Sequence, residues 1–478
     1  MIYPVPDGIK MKKDYSVFVR AAGNVEWTEI FCYEVKVDMH EVRSASMAFF
    51  DFEGEAEVRI RFNQYADIYH AAVRPESCGI VPEYTEREVY FTLKQPENLS
   101  VEINRDRFHN LHLFAGKAEE WETEKLQASV LKLSGTLGRP SVHKPDQLRR
   151  ELEQMQKGRC LHFAPGVHYF EEGRFEIPSD TKVFLEGGAV VVGSFICDSV
   201  ENVQLFGRGV VYQANFERLS TFRGIRISHS SDISIDGLIF VNPPHYTIYV
   251  GGSENVTIHN IKAFSCEGWS DGIDIMSSRN VKIDRVFMRN SDDCIAVYGS
   301  RWDNRGDTCN ISVRDSVLWA DVAHPINIGC HGDAERGGDT LQDMLFENID
   351  ILEHHEPQME CMGSMCINVG DGNIVRNICF ENIRVEHMEH GRLFDFRIIC
   401  GKYNEIPGRL IENVSVKNIY YTGEREEISR ICGYGENPVR NVALENVCIR
   451  GRQIADFTDE NIQIGENVLG LQIRAMLS

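Results

Sequence analysis

The chain has 478 residues, which is too long for one small hydrophobic core, so we expect two structural units or one unit joined to an extended solenoid. Its formal charge of −22 argues against nucleic acid as a partner and against binding to a membrane surface, because both need a basic protein surface. No apolar run approaches the length of a membrane span.

The N-terminus and the cysteines bear on the cellular compartment. Residues 1–7 lack the basic region and apolar core of a secretory signal. The 14 cysteines are scattered, and the nearest pair, Cys361 and Cys366, has neither CxxC spacing nor the histidine spacing of a zinc site. We therefore expect reduced, mostly buried thiols, a cytoplasmic location and no metal.

Residues 1–138 are predicted to form a β-sandwich domain. Short segments of alternating polar and apolar residues, such as Ala56–Phe62 and Glu88–Leu93, are separated by Gly, Pro, Asn and Asp. That pattern is typical of antiparallel strands joined by turns. Residues 139–158 are interpreted as a linker with one helix from Pro145 to Lys157, in which Leu148, Leu152 and Met155 recur at helical spacing.

Residues 159–478 contain a repeat that determines the predicted fold. Each copy has a small polar residue followed by two apolar positions in alternation, and the copies begin at Asn202, Asp232, Asn255, Asn280, Asn310, Asp343, Asn377, Asn413 and Asn441. The alternation indicates strands, and the variable spacing of 23 to 36 residues fits strands of fixed length joined by turns of variable length. We therefore predict an all-β protein with a right-handed parallel β-helix. The alternatives to a β-helix are a β-sandwich, which would need hairpin turns, and a β-propeller, which would need a fixed blade length. Neither feature appears in the sequence.

A second repeat runs in phase with the first. Its five-residue strands start at Tyr246, Asp271, Asp293, His324, Met365 and Phe394. Because the third and fifth residues point into the coil, the first residue is predicted to face solvent at the bend and the fourth to point outward. Asp271, Asp293 and His324 therefore fall on three adjacent rungs, with Asp292 beside them and Asp274 in the neighbouring column.

Clustered aspartates raise at least one pKa by mutual repulsion, so one carboxyl stays protonated while another is ionised. This is what glycoside cleavage needs, with the acid and the base about 6.5–9.5 Å apart when the reaction inverts configuration. Two other interpretations stay open. Asp and Asn are common turn residues at β-helix bends, and clustered carboxylates also bind calcium.

Two motifs resemble a known family. Trp269-Ser270-Asp271-Gly272 and Asp292-Asp293-Cys294 resemble the Asn-Thr-Asp-Gly and Asp-Asp-Cys motifs of the polygalacturonases, glycoside hydrolase family 28, which have a pectin-lyase-like β-helix. Ala323-His324-Pro325 is similar to the Gly-His-Gly motif of that family. Val317-Leu318-Trp319 and the segment after His324 also resemble the dextranase and isopullulanase family, family 49, which places a β-sandwich before the β-helix.

The resemblance implies an inverting hydrolase in which Asp292 is the general acid, Asp271 and Asp293 activate water, and His324 tunes the acid or contacts the sugar. The segment Cys366-Ile367-Asn368 occupies the place of an Arg-Ile-Lys motif that holds the substrate carboxylate, so both cations are missing. Arg397, in the same predicted column, is an alternative cation for substrate, or an ion-paired surface residue.

The remaining candidates are substrate contacts. Asp274, Asn327 and Asn368 lie in the outward column, and aromatic residues are placed to stack on sugar rings or to pack: Tyr246, Tyr249, Trp269, Trp302 and Trp319. The Arg- and Asp-rich insertion 299–308 is expected to form a wall of the cleft. The partner is a carbohydrate and no cofactor is required, while the oligomeric state is open. A polysaccharide lyase and a non-catalytic carbohydrate-binding solenoid are the alternatives.

Overall fold

The computed structural model describes residues 1–118, 129–156, 158–220, 223–424 and 427–475, and these are almost entirely β-structure. Within these ranges, the N-terminal strands are β1 Tyr15–Ala21, β2 Thr28–Ile30, β3 Tyr33–Val37, β4 Arg43–Phe52, β5 Ala56–Phe62, β6 Ala71–Arg74, β7 Glu83–Tyr84, β8 Glu88–Leu93, β9 Glu97–Ile103 and β10 Asp106–Lys117.

These strands form two five-stranded sheets in the orders β2-β1-β5-β8-β7 and β3-β4-β10-β9-β6. One shared core of apolar side chains from both sheets lies between them, as in a sandwich. Strands β5 and β8 coincide with the two predicted segments. The expectation of purely antiparallel pairing is wrong at one place, because β10 runs parallel to β4. These strands are separated by β5 to β9, which supply the crossover a parallel pair needs.

The β-helix begins earlier than the predicted residue 159. Its first strands are Val130–Leu133 and Ser141–His143, which pair in parallel with later strands of the same sheet. The segment 139–158 is therefore part of the β-helix and not a separate linker. Helix α1 spans Pro145–Gln154 and covers this end of the coil with Leu148 and Leu152. The predicted helix end, Lys157, lies outside the described residues.

The strands of the β-helix within the described ranges are β11 Val130–Leu133, β12 Ser141–His143, β13 Arg159–Phe163, β14 Gly166–Glu176, β15 Thr181–Leu185, β16 Ala189–Asp198, β17 Glu201–Gly207, β18 Val210–Tyr212, β19 Ile225–Ser228, β20 Ser231–Asp236, β21 Ile239–Val241, β22 Ile248–Gly251, β23 Glu254–His259, β24 Lys262–Phe264, β25 Ile273–Met276, β26 Arg279–Asp284, β27 Phe287–Ser291, β28 Ile295–Tyr298, β29 Thr308–Val322, β30 Ile326–Ile328, β31 Thr340–Glu353, β32 Gly363–Val369, β33 Ile374–Val385, β34 Arg392–Ile398, β35 Leu410–Tyr421, β36 Ser429–Cys432, β37 Val439–Ile449, β38 Arg452–Gln453, β39 Ile462–Ile464, β40 Val468–Leu469 and β41 Gln472–Arg474. Among these residues, no helix is long and apolar enough to cross a membrane.

The first repeat stacks in register along the coil. Its apolar positions pair from rung to rung, beginning with Val203 on Ile233 and continuing to Val414 on Val442. The small polar residue of each copy takes a positive φ, which Asn and Asp tolerate better than other side chains. Their amides form a ladder, in which Asn280 donates to Asn255 and accepts from Asn310. The repeat thus encodes both the core of the right-handed parallel β-helix and its bends.

The predicted register of the second repeat holds up to His324 and then fails. Ile295 pairs with Ile326 as expected, but Ile326 pairs with Met365 and not with Ile367. Met365 and Phe394 therefore point into the core. Asn327 is followed in its outward column by Cys366 and Asp395, so Asn368 and Arg397 lie two residues beyond the predicted position.

The sandwich packs against one face of the β-helix. The contact is a continuous apolar cluster formed by β3, β4 and β10 on one side and by β-helix residues such as Phe264, Phe287 and Trp319 on the other. The strands that carry the aspartates, β25 and β28, lie on a different face of the coil, which leaves that face open to a ligand.

Candidate active site

Three rungs bring Asp271, Asp293 and His324 together at the entry to β25, β28 and β30. Backbone hydrogen bonds connect the rungs, since Gly272 N–H donates to the Asp293 carbonyl and Cys294 N–H donates to the His324 carbonyl, both at 2.8 Å. The register of the second repeat therefore places these three side chains in one column, as the sequence predicted, but the expectation that they face solvent is wrong, because all three are buried.

Gly272 follows Asp271 because the backbone of the next rung passes very close to it. A Cβ atom at this position would lie 2.2 Å from the Cys294 carbonyl oxygen. Any other residue would push the rung of Asp271 away from the rung of Asp293, so the Asp-Gly pair sets the spacing of the two carboxylates.

Asp292 completes a cluster of three carboxylates. One oxygen each of Asp271, Asp292 and Asp293 lies within 4.8 Å of the others. Asp271 and Asp293 are buried, whereas Asp292 is partly exposed. The backbone N–H of Trp269 donates to Asp292 at 2.8 Å. The nearest oxygens are thus closer than the expected 6.5–9.5 Å between carboxyl groups of an inverting pair.

His324 is held between two acceptors. Its Nδ1 lies 2.6 Å from Asp293 Oδ1, and its Nε2 lies 2.9 Å from the Cys361 carbonyl oxygen. A carbonyl or carboxylate oxygen cannot donate, so both ring nitrogens carry a proton and the ring is a cation. The other oxygen of Asp293 accepts from Asn327 at 2.7 Å and from the Tyr298 hydroxyl at 3.3 Å.

These surroundings separate the protonation states of the aspartates. Burial, together with the charge of Asp293, raises the pKa of Asp292 to about 6. Burial also raises the pKa of Asp271, and the neighbouring carboxylates add to that rise. For Asp293, burial opposes ionisation, but the charge and hydrogen bond of His324 outweigh it and lower the pKa. The pKa of His324 is raised, since the charge of Asp293 outweighs burial.

Most of the other predicted residues lie near this cluster. Asp274 lies in the strand that follows Asp271 and is fully buried. After burial, the charge of Asp274 is the largest cause of the raised pKa of Asp271. Tyr246 is buried in the next rung, and Trp269 is half exposed at the rim. Trp319, by contrast, is buried against the sandwich, where it cannot contact a sugar.

Asn368 and Arg397 do not lie at the positions of the outward column that were predicted for substrate contacts. The Asn368 amide faces the Cys366 sulfur at 2.7 Å. Arg397 Nε lies 3.2 Å from Asp395 Oδ1, but Nε and Nη2 of Arg397 are buried without a hydrogen-bond partner among the described residues. The carboxylate of Asp395 is hydrogen-bonded by Arg430.

Within the insertion 299–308, the structure adds Arg301 and Asn304, which the sequence did not single out. The insertion 299–308 folds over the outward column, where Trp302 stacks on Tyr249 at 5.8 Å and Asn304 donates to the Tyr249 hydroxyl. This brings Arg301 Nη1 to 3.8 Å from Asp274 Oδ2. Insertions carry no periodic signal, so only the high content of charged residues in this loop pointed to it.

Glu356 is the other residue that sequence reasoning missed. Its Oε2 lies 3.9 Å from His324 Nε2, and its side chain is 1% exposed. Nothing in the spacing of the residues around it indicated this contact. His324, Glu356 and Cys361 offer ligand atoms within 4.8 Å of one another, as do the three aspartates, so both groups have the spacing of a metal site.

The cysteines are all free thiols, as expected, but fewer are buried than predicted. Those in the core are Cys32, Cys160, Cys197, Cys266, Cys294 and Cys366. Cys400 is exposed and the others are partly exposed, because they lie on outward strand positions and in loops.

The fold is similar to solved β-helix enzymes. Dex49A from Penicillium minioluteum superposes with a TM-score of 0.69 over 99% of this chain and 96% of that chain, at 14% identity. The family 28 exopolygalacturonase of Yersinia enterocolitica superposes with a TM-score of 0.52 over 87% of this chain and 96% of that chain, at 11% identity. At these identities the likeness concerns the fold.

Curated sequences give a closer relation. A probable exopolygalacturonase B of Aspergillus terreus is 23% identical over 254 residues, which are 48% of this chain and 56% of that protein. A polygalacturonase of Juniperus ashei is 24% identical over 234 residues, which are 47% of this chain and 43% of that protein. The chain thus spans about half the length of these relatives.

The family model of the glycosyl hydrolases family 28 matches residues 212–466. This range is more than half of the 478 residues and contains the aspartate cluster, His324 and the insertion 299–308. The chain therefore belongs to family 28 of the glycosyl hydrolases.

Proposed function

We propose that this protein hydrolyses O-glycosidic bonds of an oligo- or polysaccharide with inversion of configuration. Asp292 is the general acid, Asp293 is the base that activates water, and Asp271 helps to hold that water. His324 keeps Asp293 ionised. Family membership and the carboxylate cluster support this proposal.

The observation that carries the proposal is the difference in pKa between two adjacent carboxyl groups. Asp292 has its pKa raised to about 6, whereas that of Asp293 is lowered by His324. A protonated acid and an ionised base side by side are the two groups that glycoside hydrolysis requires. Asp292 is also the partly exposed member, so it can reach the leaving-group oxygen.

Inversion is proposed from the resemblance to the polygalacturonases. One oxygen of Asp293 accepts from His324, and the other accepts from Asn327, so the carboxylate is held in place for a base or for a nucleophile. The oxygens of the cluster lie within 4.8 Å of one another, which is shorter than the separation of an inverting pair, so the stereochemistry needs a measurement of its own. The stereochemistry is read directly by proton NMR of the first-formed anomer, and a product of retained configuration would contradict this part of the proposal.

The substrate is proposed to be polygalacturonase-like or dextranase-like. Relatives described as polygalacturonases support a uronic-acid polymer. The missing Arg-Ile-Lys cations argue for a neutral one. Because the thiols are free, we also propose a cytoplasmic location, where short oligosaccharides would be the available substrates.

The decisive experiment measures product formation from a panel of neutral and uronic-acid oligosaccharides. Asp292→Asn is compared with wild type, and Asp284→Asn, on the surface of a neighbouring strand, is the matched control. We expect turnover of at least one panel member, lost by about 10³-fold or more in Asp292→Asn and kept in the control. Turnover that survives in Asp292→Asn would remove the assignment of the acid.

The same assay distinguishes the alternatives. A lyase would release an unsaturated product that absorbs ultraviolet light, and it would depend on a cation. The oxygens of Asp271, Asp292 and Asp293 are close enough together to bind one, so each reaction is repeated with a chelator. Ligand binding without turnover of any substrate would identify a non-catalytic carbohydrate-binding solenoid.

A further inference from the structure

We propose that Asp274, Arg301 and Trp302 form a sugar-binding subsite beside the catalytic aspartates, and that this subsite recognises a pyranose ring through two adjacent hydroxyl groups and not through a carboxylate. The inference rests on the proposed function only in taking the ligand to be a sugar. It assigns a role to the insertion 299–308.

The first observation is a set of buried acceptors without donors. Neither carboxylate oxygen of Asp274 makes a hydrogen bond of normal geometry among the described residues, although the Tyr246 hydroxyl is near enough to lower the pKa of this carboxyl, and the side chain is 0% exposed. Asp271 Oδ1, and Asn327 Oδ1 two rungs on in the same outward column, are also buried without a partner in the described part of the chain. Buried polar atoms are normally hydrogen-bonded, so these oxygens call for donors from a ligand or from water.

The second observation is the separation of Arg301 from Asp274. The closest approach is 3.8 Å, which is too long for a hydrogen bond. The fully buried ion pair of Arg289 and Asp321 is closer, since Arg289 Nη2 reaches Asp321 Oδ1 at 2.9 Å and Nε also contacts the same carboxylate. Arg301 and Asp274 therefore attract each other without a direct hydrogen bond, and an oxygen atom beside the pair could lie about 2.8 Å from both atoms.

A hydroxyl group fits this arrangement because it donates and accepts at once. One hydroxyl can donate to Asp274 and accept from Arg301, and its neighbour on the ring can use the second oxygen and the remaining guanidinium N–H groups. A carboxylate only accepts, so it could pair with Arg301 but would offer no donor to the second Asp274 oxygen, even where burial, which raises the pKa of Asp274, keeps the first one protonated. It would also be repelled by the ionised carboxylate of Asp293.

The third observation is the aromatic surface next to the pair. Trp302 is 40% exposed, and its ring lies on Tyr246 and Tyr249 at 5.6 and 5.8 Å. The guanidinium of Arg301 lies 4.8 Å from the centre of the same indole ring. An anchored aromatic ring beside a few fixed polar groups is the usual composition of a small-molecule site. Here the indole would face the apolar C–H side of the sugar.

The test measures binding in an Asp292→Asn background, so that it does not depend on turnover. The probes are methyl glycosides of glucose and galactose, their 2-, 3- and 4-deoxy analogues and the corresponding methyl hexuronides. Binding is measured by saturation-transfer NMR and by titration calorimetry. Asp274→Asn and Arg301→Gln are compared with Arg305→Gln. Arg305 lies in the same insertion, is 51% exposed and faces Asp333. Melting temperatures verify that each variant is folded.

We expect a hexoside and its hexuronide to bind with affinities within about threefold of each other, because the group at C6 is not recognised here. Removing one of the two adjacent hydroxyls from the ligand should weaken binding at least about tenfold. The variants Asp274→Asn and Arg301→Gln should each weaken it by at least about the same factor, while Arg305→Gln leaves it unchanged. Preference for the hexuronide that disappears in Arg301→Gln would overturn the proposal, as would absence of binding by every probe. Hydrolysis without this binding pattern would leave the proposed function intact and refute the subsite.

Discussion

The charge of His324 is the residue-scale feature that organises the site. Both of its ring nitrogens face acceptors, so it is a fixed cation and cannot exchange protons with substrate at these positions. Its effect is exerted through Asp293, whose pKa it lowers. The catalytic pH range is thereby set between the pKa of Asp293 and that of Asp292.

This predicts the pH dependence of the reaction. In the wild type, kcat/KM should fall as the pH rises through about 6, because Asp292 must be protonated to act as the acid. His324→Gln removes the charge that stabilises ionised Asp293, so the acidic limb should move to higher pH and the maximal rate should drop about 10²-fold. His229→Gln, at an exposed position, serves as the control. An acidic limb that stays in place would contradict the role given to His324.

The buried carboxyl group of Glu356 should make the stability of the protein depend on pH. Burial raises its pKa from 4.5 to about 7. The native state therefore holds a proton that the unfolded state has lost between these values, so stability should fall as the pH rises through this window. The loss is up to about 3 kcal/mol from the size of the pKa change. Urea unfolding of wild type and Glu356→Gln at pH 5 and pH 8 measures it.

Glu356→Gln should lose less stability than wild type between the two pH values, since glutamine does not ionise. The comparison isolates Glu356 because Asp271, Asp274 and Asp292 are present in both proteins. An equal change in the free energy of unfolding would show that Glu356 ionises as easily in the native state as in the unfolded chain.

At the scale of elements, the bends of the β-helix depend on the asparagine ladder. Asn280 has a φ of 58° and makes ladder hydrogen bonds of 3.0 and 2.7 Å to Asn255 and Asn310. Asn280→Ala should destabilise the protein by about 2–3 kcal/mol, from two lost hydrogen bonds and about 1 kcal/mol of left-handed strain. Asn280→Gly loses the same bonds without the strain, so it should be about 1 kcal/mol more stable than the alanine variant. Equal unfolding free energies for the two variants would exclude the strain contribution.

The repeat also shows how far the sequence could predict the fold and the site. Alternation and the recurrent Asn or Asp were sufficient for the β-helix, and counting from them placed Asp271, Asp293 and His324 on adjacent rungs. The count failed at Met365 because a shift of two residues leaves the alternation of inward and outward side chains intact. The hydrophobic pattern alone cannot detect such a shift.

The contacts of Arg301 and Glu356 were beyond sequence reasoning for a different reason. Both residues lie in connections whose lengths vary from rung to rung, so no register extends to them. Their positions depend on where a loop folds back, which is fixed by contacts such as Trp302 on Tyr249. Three residues around the site, Trp269, Trp302 and Ala323, have positive φ without being glycine or asparagine, and no sequence rule anticipates this strain.

At the scale of the whole molecule, the sandwich supports the catalytic rungs from behind. Met39 N–H donates to Ser291 Oγ at 3.1 Å, directly before Asp292 in the chain. Asp38 N–H donates to Asp321 at 3.2 Å. Both acceptors belong to the face of the coil that the sandwich covers, so the N-terminal domain helps to fix the position of the aspartates.

The centre of this contact is Arg289, whose side chain is 0% exposed. It pairs with Asp321 at 2.9 Å, donates to Asn110 of the sandwich at 2.9 Å and lies 3.9 Å over the ring of Trp319. Removing one member of a buried pair leaves the other charge uncompensated, at a cost of about 3–5 kcal/mol. We therefore expect Arg289→Met to lower the free energy of unfolding by this amount and to reduce kcat/KM, because Arg289 lies on the strand that leads to Asp292.

Arg289→Met combined with Asp321→Leu should recover much of that stability, since no buried charge is then left unpaired. Arg285→Met, at a position 63% exposed, should change the free energy of unfolding by less than about 0.5 kcal/mol. The double variant would still lack the hydrogen bond to Asn110, so its kcat/KM should stay below that of wild type even where its stability returns. If stability and activity recovered together, the sandwich would support the β-helix by packing alone, and the polar contacts between the domains would have no separate part in placing the aspartates.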